Sequence, residues 1–242
     1  MSEVNNKYNF TNFKIHTQYS ICEGALKIES LKDYTKTNKI KCLGISDTFN
    51  LSGALEFSES MSKVGTQPII GSQINFNFKN NYGLLTIVAK NKTGYQNLVE
   101  LSSLSYLNNK ELSLPTCDLS DLIKNKSGLI VMSGTINGLV GKLFKNDKLD
   151  LIEEIYEKLF NNFGNNFYLE IQRHNDVDEK SFELKNLELS SKFNIPIIAS
   201  QEVFYLNKDM YEAHDALICI GEKTYINEKN RLSYSNQHFL KT

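Results

Sequence analysis

Phe13-Lys14-Ile15-His16-Thr17-Gln18-Tyr19-Ser20 is the stretch from which the fold and its site can first be predicted. Its pattern predicts a short strand that ends at His16, followed by a polar turn that closes at Gly24. Residues two apart on a strand point to the same side, so Lys14 and His16 share one face. The stretch therefore predicts a strand end at which a cation lies beside a histidine.

Strand-like and helix-like segments alternate along the rest of the chain. The predicted strands are 42–46, 68–78, 84–89, 128–132, 167–171 and 195–199, with a hairpin turn at 79–83. The predicted helices are 26–38, 51–63, 95–106, 118–123, 138–144, 149–163, 179–193 and 209–220. Such alternation favours an α/β fold, a parallel sheet or barrel with helices outside. No repeat or Pro- or Gly/Ser-rich linker interrupts it, so we predict one domain over residues 1–242.

The composition argues against several classes of protein. The 27 basic and 28 acidic side chains nearly cancel, whereas a stand-alone nucleic-acid clamp shows a basic excess. The four cysteines form no C-x-x-C pair, which argues against a zinc knuckle or a redox dithiol. The first residues contain no apolar signal segment, and no run of 18 apolar residues occurs. We therefore expect a cytoplasmic protein that makes no membrane contact.

Polar side chains follow several of the predicted strands. In α/β barrels the chemistry gathers at the C-terminal ends of the strands, so these side chains form the candidate site. They are His16, Asp47, Gln73, 133–135, 172–174 and 200–204.

Seven motifs, in order over most of the chain, resemble the PHP (polymerase and histidinol phosphatase) family, and in particular the PHP domains of bacterial DNA polymerase III alpha subunits. The opening stretch resembles the family's His-x-His motif, with Lys14 at its first position. The other motifs are 44–54, 67–73, 92–98, 168–174, 196–205 and 211–217. The resemblance implies a distorted (β/α)₇ TIM-like barrel, the PHP fold.

The resemblance also implies which positions correspond to the family's site, which holds up to three metal ions and hydrolyses phosphoesters. These positions are Lys14, His16, Asp47, Thr48, Gln73, Thr135, His174, Glu202 and Phe204. His16, Asp47 and His174 match family ligands. Glu202 replaces an aspartate and still offers a carboxylate.

The remaining five positions depart from the family pattern. Lys14, Thr48 and Phe204 stand where the family has histidines, and an ammonium has no lone pair to donate. Gln73 replaces a glutamate, and a neutral amide cannot bridge two cations as a carboxylate can. Thr135 stands near a further ligand of the family. We therefore predict a degenerate site with no catalytic residue and no bound metal.

The resemblance implies a role inside a larger enzyme. We expect the chain to be the N-terminal domain of a replicative DNA polymerase alpha subunit, where it braces the polymerase and docks the proofreading 3′–5′ exonuclease (epsilon) subunit. Its partners would be the remainder of that subunit, the exonuclease, and DNA through the full holoenzyme. The chain itself would need no cofactor and would not polymerise DNA, because the carboxylates that bind the polymerase's catalytic Mg²⁺ are expected beyond residue 242.

Two alternatives remain open at this point. One is an active metal-dependent phosphoesterase that uses Zn²⁺ or Mn²⁺, either a proofreading nuclease or a small-molecule phosphatase. The other is a free-standing binding module of a DNA-repair polymerase homologue.

Structural roles are expected for several charged and imidazole side chains. Lys14 is expected to replace a metal as an internal cation, paired with Asp47 or Glu202 within ~4 Å. His16 and His174 are expected to be hydrogen-bonded structural residues. His238 is expected to be exposed to solvent.

Overall fold

The structure is a computed structural model, and it describes residues 10–107 and 114–241. The N-terminal residues on which the absence of a signal segment was argued lie outside the described part. Among the described residues, no helix combines the length and the apolar character that a membrane span requires.

The described residues contain one sheet of nine strands. They are β1 (Lys14–Ile15), β2 (Cys42–Thr48), β3 (Gln67–Phe78), β4 (Asn81–Ala89), β5 (Thr116–Asp118), β6 (Leu129–Met132), β7 (Phe167–Ile171), β8 (Ile197–Ala199) and β9 (Glu202–Val203). The strand order is β8-β7-β6-β4-β3-β2-β1-β9, and β5 pairs with β3. The pairings are parallel except those of β4, which runs antiparallel to β3 and β6.

Eight α-helices accompany the described part of this sheet. They are α1 (Ile28–Asn38), α2 (Ala54–Lys63), α3 (Lys92–Leu107), α4 (Leu119–Lys124), α5 (Leu139–Lys145), α6 (Leu149–Phe163), α7 (Glu179–Phe193) and α8 (Tyr211–Glu222). Helix α6 shows why these segments are helical, since its buried residues Ile152, Ile155, Tyr156 and Leu159 recur at i, i+3, i+4 and i+7. The predicted α/β alternation is confirmed.

The predicted hairpin between β3 and β4 is confirmed, but its turn is shorter than the predicted 79–83, because β4 begins at Asn81. Lys79 and Asn80 form its turn, with φ values of 51° and 60°. Positive φ at both central residues is the geometry of a type I′ turn, whose twist matches that of the flanking strands. The hairpin explains why β4 is antiparallel in an otherwise parallel sheet.

The apolar core lies in two clusters. The larger one packs β3, β4, β6 and β7 against helices α3 to α7. The smaller one packs β1, β2 and β9 against α1 and α2. Strand β7 shows how the strands separate core from site, because Leu169 lies in the larger cluster and the adjacent Glu170 points to the opposite face.

The sheet curls strongly around this inner face. Five strand spacings separate β7 from β1, which would span about 24 Å in a flat sheet. Yet the side chains of Glu170 on β7 and Lys14 on β1 are 3.1 Å apart. The fold is therefore the distorted TIM-like barrel that was predicted. That residues 1–242 form a single domain stays a prediction.

Candidate functional site

The ammonium of Lys14 lies buried between two carboxylates. Its Nζ atom is 3.1 Å from Glu170 Oε1 and 3.5 Å from Glu202 Oε1, and its side chain is fully buried. The distances are those of ion pairs, but the angles are not those of hydrogen bonds, so the attraction is mainly Coulombic. Burial would lower the pKa of Lys14, but the two carboxylates outweigh burial and raise it. The predicted pairing with Glu202 is thus present, and Glu170 takes the place proposed for Asp47.

A single carboxylate oxygen of Glu202 pairs with the Lys14 ammonium and accepts hydrogen bonds from His16 and Gln73. Lys14 Nζ, His16 Nε2 and Gln73 Nε2 lie 3.5, 3.3 and 2.5 Å from its Oε1 atom. Burial would raise the pKa of Glu202, but the charge of Lys14 and the hydrogen bond from His16 hold it well below its usual range. The parallel register of β1 and β9 places Lys14 opposite Glu202, so the backbone fixes this contact.

His16 is held as a cation. Its Nε2 faces Glu202, and its Nδ1 lies 3.2 Å from the hydroxyl oxygen of Thr48. That hydroxyl donates its own proton to Glu23, so its oxygen accepts a hydrogen bond from Nδ1. Burial would lower the pKa of His16, but Glu23 and Glu202 raise it to about 9. A histidine that donates from both ring nitrogens has no lone pair left for a metal.

Asp47 stabilises the turn after β1. Its Oδ1 accepts hydrogen bonds from the Thr17 backbone N–H at 2.6 Å and the Ser20 hydroxyl at 2.7 Å. Its Oδ2 accepts a hydrogen bond from the Thr17 hydroxyl at 2.8 Å. Ser20 Oγ also lies 3.4 Å from His16 Nδ1. The carboxylate therefore supports His16 through the turn and makes no ion pair with Lys14.

Aromatic rings cover one side of the ion-pair site. The ring of Phe204 lies 4.6 Å from the ring of His16 and 4.6 Å from that of Tyr234, measured between centroids. Phe204 is 1% exposed. An apolar ring in place of water on this side lowers the local dielectric constant, which strengthens the attraction between His16 and its carboxylate partners.

A cavity of about 50 Å³ lies against the ion pairs. Lys14, Gln73, Thr135 and Glu202 line it. The Thr135 hydroxyl accepts a hydrogen bond from the backbone N–H of Asn137 at 3.1 Å. A cavity of this size holds water molecules, whereas ligand pockets usually measure about 300–1,000 Å³.

His174 is bound on both sides by protein groups. Its Nε2 accepts a hydrogen bond from the Glu202 backbone N–H at 3.2 Å, and its Nδ1 lies 3.2 Å from Glu179 Oε1. Its ring stacks on that of His238, with centroids 4.0 Å apart and planes 4° from parallel. The prediction that His238 is exposed is wrong, since it is 1% exposed. The chain returns beside β9 here, and His238 Nδ1 donates to the Glu202 carbonyl at 3.1 Å.

A further group of ligand-type atoms lies beside these stacked rings. Within the described ranges, His174, Asp176 and His238 each place one such atom within 4.8 Å of the others. Parallel stacking puts the ring lone pairs in two separate planes, so one ion cannot lie in line with both. The Nε2 lone pair of His174 is also engaged by the Glu202 N–H. The group is therefore poorly arranged for a metal.

A family model described as the PHP domain matches residues 12–174, about two thirds of the chain. The chain belongs to the PHP domain family. The resemblance inferred from the seven motifs is thereby confirmed.

This PHP chain is similar to proteins named DNA polymerase III subunit alpha. It is 30% identical over 245 residues to that of Caulobacter vibrioides, 33% over 234 residues to that of Rickettsia prowazekii, and 31% over 250 residues to that of Thermus aquaticus. These alignments cover 96%, 96% and 98% of this chain but 21%, 20% and 20% of the relatives. The chain therefore spans about a fifth of the length of these relatives.

Solved structures share the PHP fold at low identity. An amidohydrolase from Chromobacterium violaceum, with bound sulfate and no metal, gives a TM-score of 0.55 at 10% identity, covering 86% of this chain and 97% of that one. A two-domain protein from Bacteroides vulgatus containing a predicted PHP-like metal-dependent phosphoesterase gives 0.50 at 10% identity, covering 80% of this chain and 51% of that one. At such identities the likeness shows the fold alone.

The side chains present do not fit the metal ions that the PHP resemblance implies. The Lys14 ammonium already occupies the space between Glu170 and Glu202. The His16 ring nitrogens both donate, and Gln73 directs its N–H group at Glu202. A divalent ion that approached Glu202 would have to displace a covalently attached cation and lose its own hydration without gaining a full ligand set.

Sequence reasoning missed two members of the PHP site. Glu170 lies within the 168–174 motif. Strand alternation could have identified it, because Leu169 is apolar and Glu170 therefore falls on the opposite face of the strand. Glu23 lies in the turn after β1, where its spacing from His16 carries no periodic signal. Of the nine predicted positions, Lys14, His16 and Gln73 contact the Glu202 carboxylate and His174 contacts its backbone N–H, whereas Asp47 contacts the turn after β1.

Proposed function

We propose that the chain is the N-terminal PHP domain of a replicative DNA polymerase III alpha subunit, with an internal ion-pair network in place of a metal centre. It braces the polymerase and docks the proofreading 3′–5′ exonuclease subunit, and it does not hydrolyse phosphoesters. The observation that carries this proposal is the Lys14 ammonium within 3.5 Å of both Glu170 and Glu202.

The relatives support the polymerase assignment, because they match 96–98% of the chain at 30–33% identity. In such a subunit the partners are the rest of the polypeptide, the exonuclease, and DNA through the holoenzyme in the cytoplasm. The Mg²⁺ of nucleotidyl transfer would then be bound by residues outside this chain.

The ion pairs account for a bracing role in physical terms. Lys14 on β1 contacts Glu202 on its neighbour β9 and Glu170 on the distant β7. One ammonium on β1 thus links β1, β7 and β9 through ion pairs on the inner face of the curled sheet. A domain closed in this way offers a rigid outer surface to neighbouring parts of the polymerase.

We expect Zn²⁺ and Mn²⁺ to leave the melting temperature of the chain unchanged. An ion that binds the native state alone at 100 times its Kd stabilises by about 2.7 kcal/mol. For a chain of this size that would raise the melting temperature by about 5–11 °C. The measurement is a thermal melt with each ion, with excess EDTA as the control. A rise of this size that EDTA reverses, together with phosphate release from a phosphomonoester, would favour the phosphoesterase alternative.

We also expect the immobilised chain to capture the purified exonuclease subunit of the same organism. The matched samples are the full-length alpha subunit and the same subunit lacking residues 1–242. Capture by the first and loss by the second would place the docking surface on this chain. Equal capture by both would contradict the docking role.

A further inference from the structure

Within residues 10–107 and 114–241, no helix follows β8 to cover its outer face. A helix follows β1, β2, β4, β5, β6 and β7, whereas only Ser200 and Gln201 separate β8 from β9. In the β7–β8 register Ile197 lies opposite Leu169, and Ala199 lies opposite Ile171. Since Leu169 packs in the core beneath the helices, Ile197 and Ala199 also face outward. Ile197 is consequently 41% exposed.

A groove of about 520 Å³ runs along this uncovered face. Its apolar lining comes from Phe10, Ile171, Ile197 and Ala199, and Phe10 is 42% exposed. Lys241 lines the same groove and brings a positive charge to it. The lining therefore suits an apolar segment that also carries a carboxylate.

The C-terminal part of the chain leads directly to this groove. The Gln201 amide donates to the backbone carbonyls of Gln237 and Phe239, at 3.3 and 2.6 Å. The Leu240 N–H donates to the Tyr205 carbonyl at 3.1 Å. These bonds hold the segment beside β9 and place Lys241 in the groove wall. The similar polymerase subunits have about four fifths of their length outside the part that this chain covers.

We propose that this groove seats the polypeptide that follows residue 242 in the full-length polymerase subunit. Apolar side chains of that segment pack on Phe10, Ile171 and Ile197, and an acidic side chain pairs with Lys241. The segment supplies the layer that β8 lacks. This inference rests on the proposed function, because it requires the chain to be the N-terminal domain of the longer subunit.

The test compares Ile197→Lys with Leu187→Lys, both in the full-length subunit and in the chain of residues 1–242. Leu187 on α7 is 40% exposed and does not line the groove, so it is a matched control. In the shorter chain both lysines lie at the surface, and the two melting temperatures stay within about 2 °C of the wild type. In the full-length subunit, Ile197→Lys speeds cleavage beyond residue 242 by about tenfold, because a buried isoleucine contact is lost. Leu187→Lys leaves that cleavage rate unchanged.

A protease that cleaves after aromatic residues avoids the added lysines. Wild-type cleavage rates in full-length Ile197→Lys would overturn the proposal, as would equal acceleration by Leu187→Lys. Hydrogen exchange of β8 provides a second measurement that needs no variant, and equal exchange in the full-length subunit and the shorter chain also overturns it. Exonuclease capture by the same samples separates the two proposals. If one of these results overturns the groove assignment while capture persists, the proposed function still stands. If capture is lost too, the proposed function fails as well.

Discussion

Lys14→Met is expected to lower the free energy of unfolding by about 3–5 kcal/mol, the usual cost of removing one partner from a buried ion pair. Methionine retains most of the length of the side chain, so the change removes the charge and leaves little cavity. Glu170 would then remain buried without its cation, and Glu202 would keep only the charge of His16. At about 2–4 °C per kcal/mol for a chain of this size, the melting temperature should fall by about 6–20 °C.

Lys79→Met is the matched control for this loss. Lys79 pairs with Glu154 at 2.5 Å, but both side chains are about half exposed. An exposed pair contributes at most about 1 kcal/mol, so this variant should melt close to the wild type. Adding Glu170→Gln and Glu202→Gln to Lys14→Met should recover part of the stability, since the unpaired charges are then gone. If Lys14→Met melts like Lys79→Met, the ion-pair network has no bracing role.

The stability contributed by protonated His16 is expected to be complete below about pH 6.5 and to disappear as the pH rises through 9. Its pKa is about 9 in the folded chain against an ordinary value of 6.5, so the folded state binds the proton more tightly. The difference corresponds to about 3 kcal/mol, because one pKa unit is worth about 1.4 kcal/mol. The cause is the contact of the buried ring with Glu23 and Glu202, which outweighs the cost of burial.

Urea unfolding of the wild type and His16→Gln between pH 6 and pH 9.5 measures this effect. The difference in unfolding free energy should shrink as the pH rises through this range. His214→Gln is the control, since burial lowers the pKa of His214 and its contribution should change only below about pH 6.5. A difference for His16→Gln that stays constant to pH 9.5 would show that the ring is neutral in the folded chain.

The elements of the fold were predictable because their signals are local. The β3–β4 hairpin follows from two alternating runs around a polar turn, and α6 follows from apolar spacing of three and four residues. The nine candidate site positions could be predicted because motifs fix them in sequence. Both kinds of information can be read from neighbouring residues.

The residues that these positions contact were harder to predict from the sequence, because the contacts depend on how distant strands meet. Glu170 reaches Lys14 because the sheet curls through five strand spacings, which no local pattern encodes. His238 is buried because the C-terminal segment returns beside β9 and donates to the Glu202 carbonyl. Asp47 was a reasonable partner for Lys14 by charge alone, but the turn at Thr17 and Ser20 uses both of its oxygens.

Under the proposed function, the tethered ammonium between Glu170 and Glu202 would make the closure of this sheet independent of the supply of trace metals. A metal-closed barrel gains stability in proportion to the logarithm of the free ion concentration, so starvation for that ion weakens it. The Lys14 ammonium, unlike a bound metal ion, is covalently part of every copy of the chain, so its occupancy of the site does not depend on a free concentration. Under the proposed function, a cell short of zinc or manganese would keep the domain closed, and the polymerase subunit would not compete with metalloenzymes for those ions.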